Sequence, residues 1–342
     1  MEHIDMSNFY IEEHLLRPPY IPSYAGSEKP LTVLFSFLSR SDNTPLSERS
    51  RGEGHTLDNN GNIIDDPSIN PQENTLEGNP NLNFEHWGEY WRKVHGIRFI
   101  HPESDDDAKI LDKLVRYDQL HRFPAGPTQT DTPPYHASAD QYGKLWPTVV
   151  GHIEPYQRPS WDGVAYLNFK DASDISLVLG NERVINKILP EDKAIFRDIA
   201  PLLAIQYIII PAASGNEPIT LVKIHKRKKG TSRSDFQTWW LGSFSEEVKK
   251  VNESNKLIKR YVQLHNIGPT EEGKPFYHKY TSSIDGVSLF SFDSINDLED
   301  YLRSRENRDL EKIEKSEGET TEYWTAIGIV LVNHINPEEA SA

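Results

Sequence analysis

Hydrophobic and polar positions along the chain switch repeatedly between two periods. Leu31–Leu38 (LTVLFSFL) and Leu221–His225 (LVKIH) have β-branched and aromatic strand character, and Tyr117–His121 and Val164–Phe169 also predict strands. Phe84–Val94 and Phe236–Val248 instead place apolar residues at helical spacing. Asp171–Leu179 and Asn296–Leu302 open on capping residues and predict helices, each followed by a closing strand near Ile205–Ile208 or Ile327–Val330. The predicted order is βαββαβ, and it occurs twice.

Landmarks recur in the same sequence order in the two halves. Pro30-Leu31-Thr32, Phe84-Glu85-His86-Trp87, Tyr117-Asp118-Gln119-Leu120-His121 and Asp162-Gly163-Val164 are matched by Pro218-Ile219-Thr220, Phe236-Gln237-Thr238-Trp239, Tyr261-Val262-Gln263-Leu264-His265 and Asp285-Gly286-Val287. Such self-similarity predicts a duplication. Pro30 to Phe84 spans 54 residues against 18 for Pro218 to Phe236, so the first copy is expanded. Its two extra segments, 41–80 and 123–159, are rich in Pro, Gly, Asn, Asp and Thr and predict long loops. The second carries Tyr135, His136, Tyr142, Trp146, His152 and Tyr156 and is the better lid candidate.

The expected fold is α+β: two tandem ferredoxin-like units, 30–211 and 218–335, after an N-terminal extension of residues 1–29. A ferredoxin-like unit covers only one face of its sheet with helices. Two copies packed through their sheets supply the missing cover internally, as a pseudo-twofold dimeric α+β barrel with 211–217 as linker. A monomer then suffices, and a homodimer stays open.

Composition narrows the function classes. The 342 residues include no cysteine, which removes disulfides, thiolate ligands and cysteine nucleophiles and leaves chemistry to 13 histidines, carboxylates and tyrosines. A formal charge of −15 disfavours a nucleic-acid partner. The N-terminus has no basic region followed by an apolar run, and the longest apolar stretch, 199–210, is too short to span a bilayer. The expectation is therefore a cytoplasmic protein with no membrane partner. Dinucleotide, Walker, nucleophile-elbow and zinc-protease motifs are all missing. A site of three histidines converging from distant positions stays open.

The helix Phe84-x-x-Trp87-x-x-Tyr90-Trp91-x-x-x-His95, followed by Tyr-x-Gln-Leu-His and by Trp161-Asp162-Gly163-Val164-x-x-x-x-Phe169, resembles EthD-type domains of the dimeric α+β barrel superfamily. The resemblance covers roughly residues 30–335, with Gly96 and then His101-Pro102 where the family has proline soon after the histidine. In the second copy Ser245, Glu246 and Glu247 stand where a histidine is expected. The resemblance implies a small-molecule pocket between helices and sheet or inside the barrel. It also implies a choice among cofactor-free isomerases, decarboxylases, dehydratases and monooxygenases on phenolic or polyketide-like compounds, with haem enzymes as relatives.

His95 and His121 are the candidate general acid/base groups, because imidazole titrates near neutrality, with Tyr117 as an auxiliary donor. Gln119 shares a strand face with Tyr117 and His121. Trp87, Trp91, Gln119, His136 and Trp146 are candidate substrate contacts, although aromatic residues at helical spacing also read as core. The run Lys226-Arg227-Lys228-Lys229-Gly230 reads as a solvated turn. The expected function is a cofactor-independent lyase- or isomerase-type enzyme that dehydrates, decarboxylates or cyclises an aromatic or polyketide-derived small molecule. The alternatives are a haem-dependent dehydratase or oxygenase with an axial histidine, and a non-catalytic ligand-binding or scaffold protein.

Overall fold

A computed structural model describes residues 31–40, 87–88, 90–122, 161–211 and 218–334. The strands are β1 Leu31–Arg40, β2 Leu114–Arg122, β3 Gly163–Phe169, β4 Phe196–Ile210, β5 Ile219–Arg227, β6 Arg260–Asn266, β7 Gly286–Phe292 and β8 Gly318–Asn333. They form a closed antiparallel barrel in the order β1-β3-β2-β8-β5-β7-β6-β4. Within that ring β4-β1-β3-β2 and β8-β5-β7-β6 repeat one spatial order, and the junctions β2·β8 and β4·β6 join them. Closure removes every free strand edge. The closing strands β4 and β8 are long, 15 and 16 residues, because each pairs with neighbours from both halves.

The helices are α1 Asp105–Leu111, α2 Ala172–Leu179, α3 Leu189–Ile195, α4 Arg233–Trp239, α5 Ser245–Asn255, α6 Lys279–Ser282, α7 Ile295–Arg303 and α8 Arg305–Glu317. Serine caps start several of them. Ser232, Ser294 and Ser304 each accept the backbone N–H three residues on, which satisfies a donor the helix cannot. The strand predictions fall on observed strands; most extend by a few residues, whereas the closing strands predicted near Ile205–Ile208 and Ile327–Val330 begin nine residues earlier, at Phe196 and Gly318. The predicted helix Phe236–Val248 is part of a longer run, α4 and α5 joined by a π-helical turn at Trp240–Phe244. Its first-half counterpart includes helical Trp87, Gly88 and Tyr90 and the π turn Trp91–His95. Helices α1, α3, α6 and α8 have no counterpart among the predicted elements.

The barrel interior is packed with apolar side chains from both halves. Val33, Phe35, Phe37, Trp161, Tyr166, Val222, Ile224, Leu264, Leu289 and Trp324 belong to one buried cluster there. Separate clusters on the outer face hold the helices against the sheet. The segments 41–80, 123–159 and 1–29, with His136, Trp146 and the lid expectation, lie outside the described residues. Among the described residues, no helix is long and apolar enough to cross a membrane.

Candidate functional site

The sequence triplet Tyr117, Gln119 and His121 lies on the outer face of β2, under the π turn. Gln119 Nε2 donates to the carbonyl of Trp91 at 3.1 Å and to the Tyr117 hydroxyl at 3.0 Å. Both amide hydrogens are thus used, so its Oε1 only accepts, and His121 Nε2–H donates to it at 2.9 Å. The His121 ring lies against Trp91, with centroids 4.5 Å apart. Tyr261, Gln263 and His265 repeat the arrangement on β6. Gln263 Nε2 donates to Trp240 O and Tyr261 Oη, both at 2.9 Å, and His265 Nε2 donates to Gln263 Oε1 at 2.9 Å. A π turn leaves a carbonyl directed at the sheet, and in each half a glutamine amide answers it. This shared construction pins helix to strand.

Desolvation, with the Arg92 cation second, pulls the His121 imidazole down to about 3. Desolvation, with His225 second, does the same to His265, also to about 3. Burial pushes the Tyr117 phenol above its ordinary range. These rings are therefore neutral at physiological pH and supply no proton there. Imidazole resonances followed by NMR from pH 7 to 4 should show both rings untitrated. Since the unfolded chain takes up these protons near pH 6.5 and the native state near 3, stability should rise with pH across that window.

The structure packs Trp87 and Trp91 at 1% and 0% exposure, in a cluster with Leu38, Tyr90, Ile195 and Phe196. They serve as helix–sheet core, and Trp87 Nε1 donates to Ile195 O at 2.9 Å. His95 is buried at the end of the π turn, with Nε2 3.1 Å from Asp192 Oδ1 and its ring beside Phe99 and Phe196. The corresponding end of the second π turn is Phe244, not Ser245–Glu247 as the sequence spacing suggests, because the π turns align Trp91 with Trp240; this histidine–carboxylate pair belongs to one half.

The second half has a buried polar chain of its own. Lys223 Nζ donates to Glu314 Oε2 at 2.8 Å, and His225 Nδ1 donates to Glu314 Oε1 at 2.5 Å. His225 Nε2 lies 2.9 Å from Ser288 Oγ, which is 3.3 Å from Tyr261 Oη. Lys223, His225 and Glu314 are 6%, 1% and 4% exposed. Burial alone would raise the Glu314 carboxyl, but Lys223 and His225 outweigh it and hold the group well below the usual carboxylate range. The strand register puts Ser36, Leu38 and Ala165 at the matching places in the first half. The shared scaffold therefore does not require this chain. Its contacts imitate a serine–histidine–carboxylate triad, yet Ser288 is 0% exposed and out of a substrate's reach.

Lys223 and Glu314 form part of the wall of a cleft of about 1480 Å³ between β5, the turn after it and the α7–α8 corner. The run Lys226–Gly230, expected as a solvated turn, lines this cleft. Gly230 at φ +97° permits the tight turn that carries it. A smaller cavity in the first half, about 740 Å³, has its lining cations already paired, Arg183 with Asp107 at 3.1 Å and Lys187 with Glu103 at 2.5 Å. Sequence reasoning missed Lys223, His225 and Glu314. The alternation of Leu221, Lys223 and His225 in a strand was the available signal, but alone it reads as a wet outer face.

No family model matches the sequence, and no curated protein matches it. Among solved structures, an anthrone oxidase-like protein is similar at a TM-score of 0.45 and 10% identity, over 89% of this chain and 92% of that one. A mutant chlorite dismutase from Candidatus Nitrospira defluvii is similar at 0.36 and 9%, over 92% of this chain and 95% of the other.

Proposed function

We propose that the chain is a small-molecule enzyme built by duplication of a ferredoxin-like unit of the EthD-type kind, with its working site in the second-half cleft. One observation carries this reading: a buried chain of ionisable groups, without counterpart at the matching positions of the first half, ends on a cleft. Buried charges are costly and persist where they are paired, and they concentrate at functional sites. The Lys223 ammonium is the group that meets substrate. It stabilises negative charge developing on a carbonyl or hydroxyl oxygen, as an enolisation, dehydration or decarboxylation requires. Glu314, held ionised, is a weak base; its part is to fix Lys223 and orient His225. His225 is a positioning residue behind them.

The haem alternative finds no fit in the cleft. No histidine is among its lining residues, and the ring Nε2 atoms of His121 and His265 are engaged by glutamine. A second reading rests on the His95–Asp192 pair, an oriented imidazole confined to the first half.

Untargeted mass spectrometry of a metabolite extract incubated with the protein separates the two readings. Compounds consumed by the wild type should persist with Lys223→Met, whose circular dichroism verifies folding, and should still be consumed by His95→Gln. Equal consumption by wild type and Lys223→Met would overturn the cleft reading, and loss in His95→Gln alone would move the site to the first half. A Soret band in the purified protein would revive haem.

A further inference from the structure

The charge inside the cleft opposes the charge of the chain. The protein carries a formal −15, yet lysine and arginine outnumber carboxylates among the residues lining the cleft. The carboxylates there are already engaged. Asp285 is held by Arg227 and Arg233, Glu314 by Lys223 and His225, and Glu311 accepts from Asn307. Lys226, Lys229, Arg308 and Lys315 also line the cleft; among the side chains described, none of the four forms an ion pair with a carboxylate, and Arg308 donates to the Arg303 carbonyl at 2.5 Å. Like charges gathered on a concave surface repel one another and focus a positive potential into it, and an anion relieves both effects.

The spacing of these cations limits the ligand. Arg308 and Lys315 lie seven residues apart on α8, hence on one face and roughly 10 Å apart along its axis. Lys226, near the end of β5, and Lys229, on the turn after it, line the same cleft. A single tetrahedral anion spans about a third of that length, so one such group cannot reach both ends of the helix face. The closed, strongly acidic remainder of the molecule argues against a long polyanion.

Resting on the reading of the cleft as the ligand site, we propose that its ligand is a small molecule bearing at least two anionic groups, phosphate or carboxylate, held between Lys226 and Lys229, at the end of β5 and the turn after it, and the Arg308–Lys315 face of α8. The Lys223 ammonium at the wall then faces the uncharged middle of the ligand, where chemistry would take place.

Isothermal titration calorimetry on the full chain tests this with pyrophosphate, citrate and inorganic phosphate at low and physiological salt. Saturable 1:1 binding of pyrophosphate or citrate, tighter than that of phosphate and weakened by salt, is expected. Pyrophosphate alone would assign phosphate groups and citrate alone carboxylates, either supporting the proposal. The exposed substitutions Lys229→Glu and Arg308→Glu together should weaken binding at least tenfold, whereas Lys312→Glu, on the same helix outside the cleft, should leave it unchanged. No saturable binding of either pyrophosphate or citrate, equal affinity in the double variant, or tighter binding of a single-stranded oligonucleotide would overturn it. Because the titration reads binding and the metabolite assay reads turnover, anion binding with turnover intact in Lys223→Met would leave this proposal standing and remove the catalytic one.

Discussion

Glu314→Ala should destabilise the protein by about 3–5 kcal/mol, the usual consequence of removing one partner of a buried charge pair. The loss comes less from the missing attraction than from what stays behind. Lys223 and His225 are 6% and 1% exposed, and without the carboxylate the ammonium is buried with no opposite charge against it. Glu314→Gln keeps the shape and a carbonyl acceptor and should cost less than the alanine variant. The sign of the pH dependence follows from the lowered carboxyl. A group held below its unfolded value of about 4.3 stabilises the fold above that value, and the contribution is lost as pH falls below it. Urea unfolding from pH 3 to 7 should show, on top of the decline due to His121 and His265, a further loss of wild-type stability below about pH 4.5 that is shallower in Glu314→Gln. Equal midpoints for wild type and Glu314→Ala would mean that the chain is not a coupled unit.

Gly286→Ala should be nearly as damaging, for a steric reason. A Cβ at Gly286 would stand 2.4 Å from Trp240 Cζ3 and 2.6 Å from the Leu264 carbonyl oxygen. The indole is fully packed and the carbonyl belongs to the paired neighbouring strand, so neither yields easily. Overpacking of this kind costs about 1–3 kcal/mol, and the backbone contact places Gly286→Ala toward the upper end. Gly242→Ala supplies the contrast. Nothing lies within 4 Å of its Cβ position, and the residue is helical. That substitution should be neutral or stabilising by up to about 1 kcal/mol. Thermal melts of the two variants side by side check both expectations, and similar midpoints would refute the close-packing account.

The same contact explains a sequence landmark. Asp-Gly-Val begins β3 and β7, and in both halves the glycine lets the π-turn tryptophan rest on the strand: Gly163 faces Trp91 as Gly286 faces Trp240. In the sequence the motif reads only as a turn before a strand. The Tyr-x-Gln-x-His triplets were equally visible, but chemistry and scaffold were indistinguishable until the glutamine amides were seen meeting the carbonyls of Trp91 and Trp240. Helix α8 was not legible because Leu310 and Ile313 give its polar sequence too little apolar periodicity. Nothing local separates Glu314 from Glu311 or Glu317.

The sequence by itself determined the order of the strands and the repeat, since alternation and helical spacing are local properties of the chain. By omitting cysteine it also directed attention to histidines, carboxylates and tyrosines, and so passed over the lysine that the structure buries. Only the tertiary structure decided which polar groups are buried together. Lys223 and Glu314 are separated by 91 residues, and α8 folding over β5 makes a wet-looking strand face into a buried ion pair. Burial depends on what covers a face, and that is a property of contacts distant along the chain.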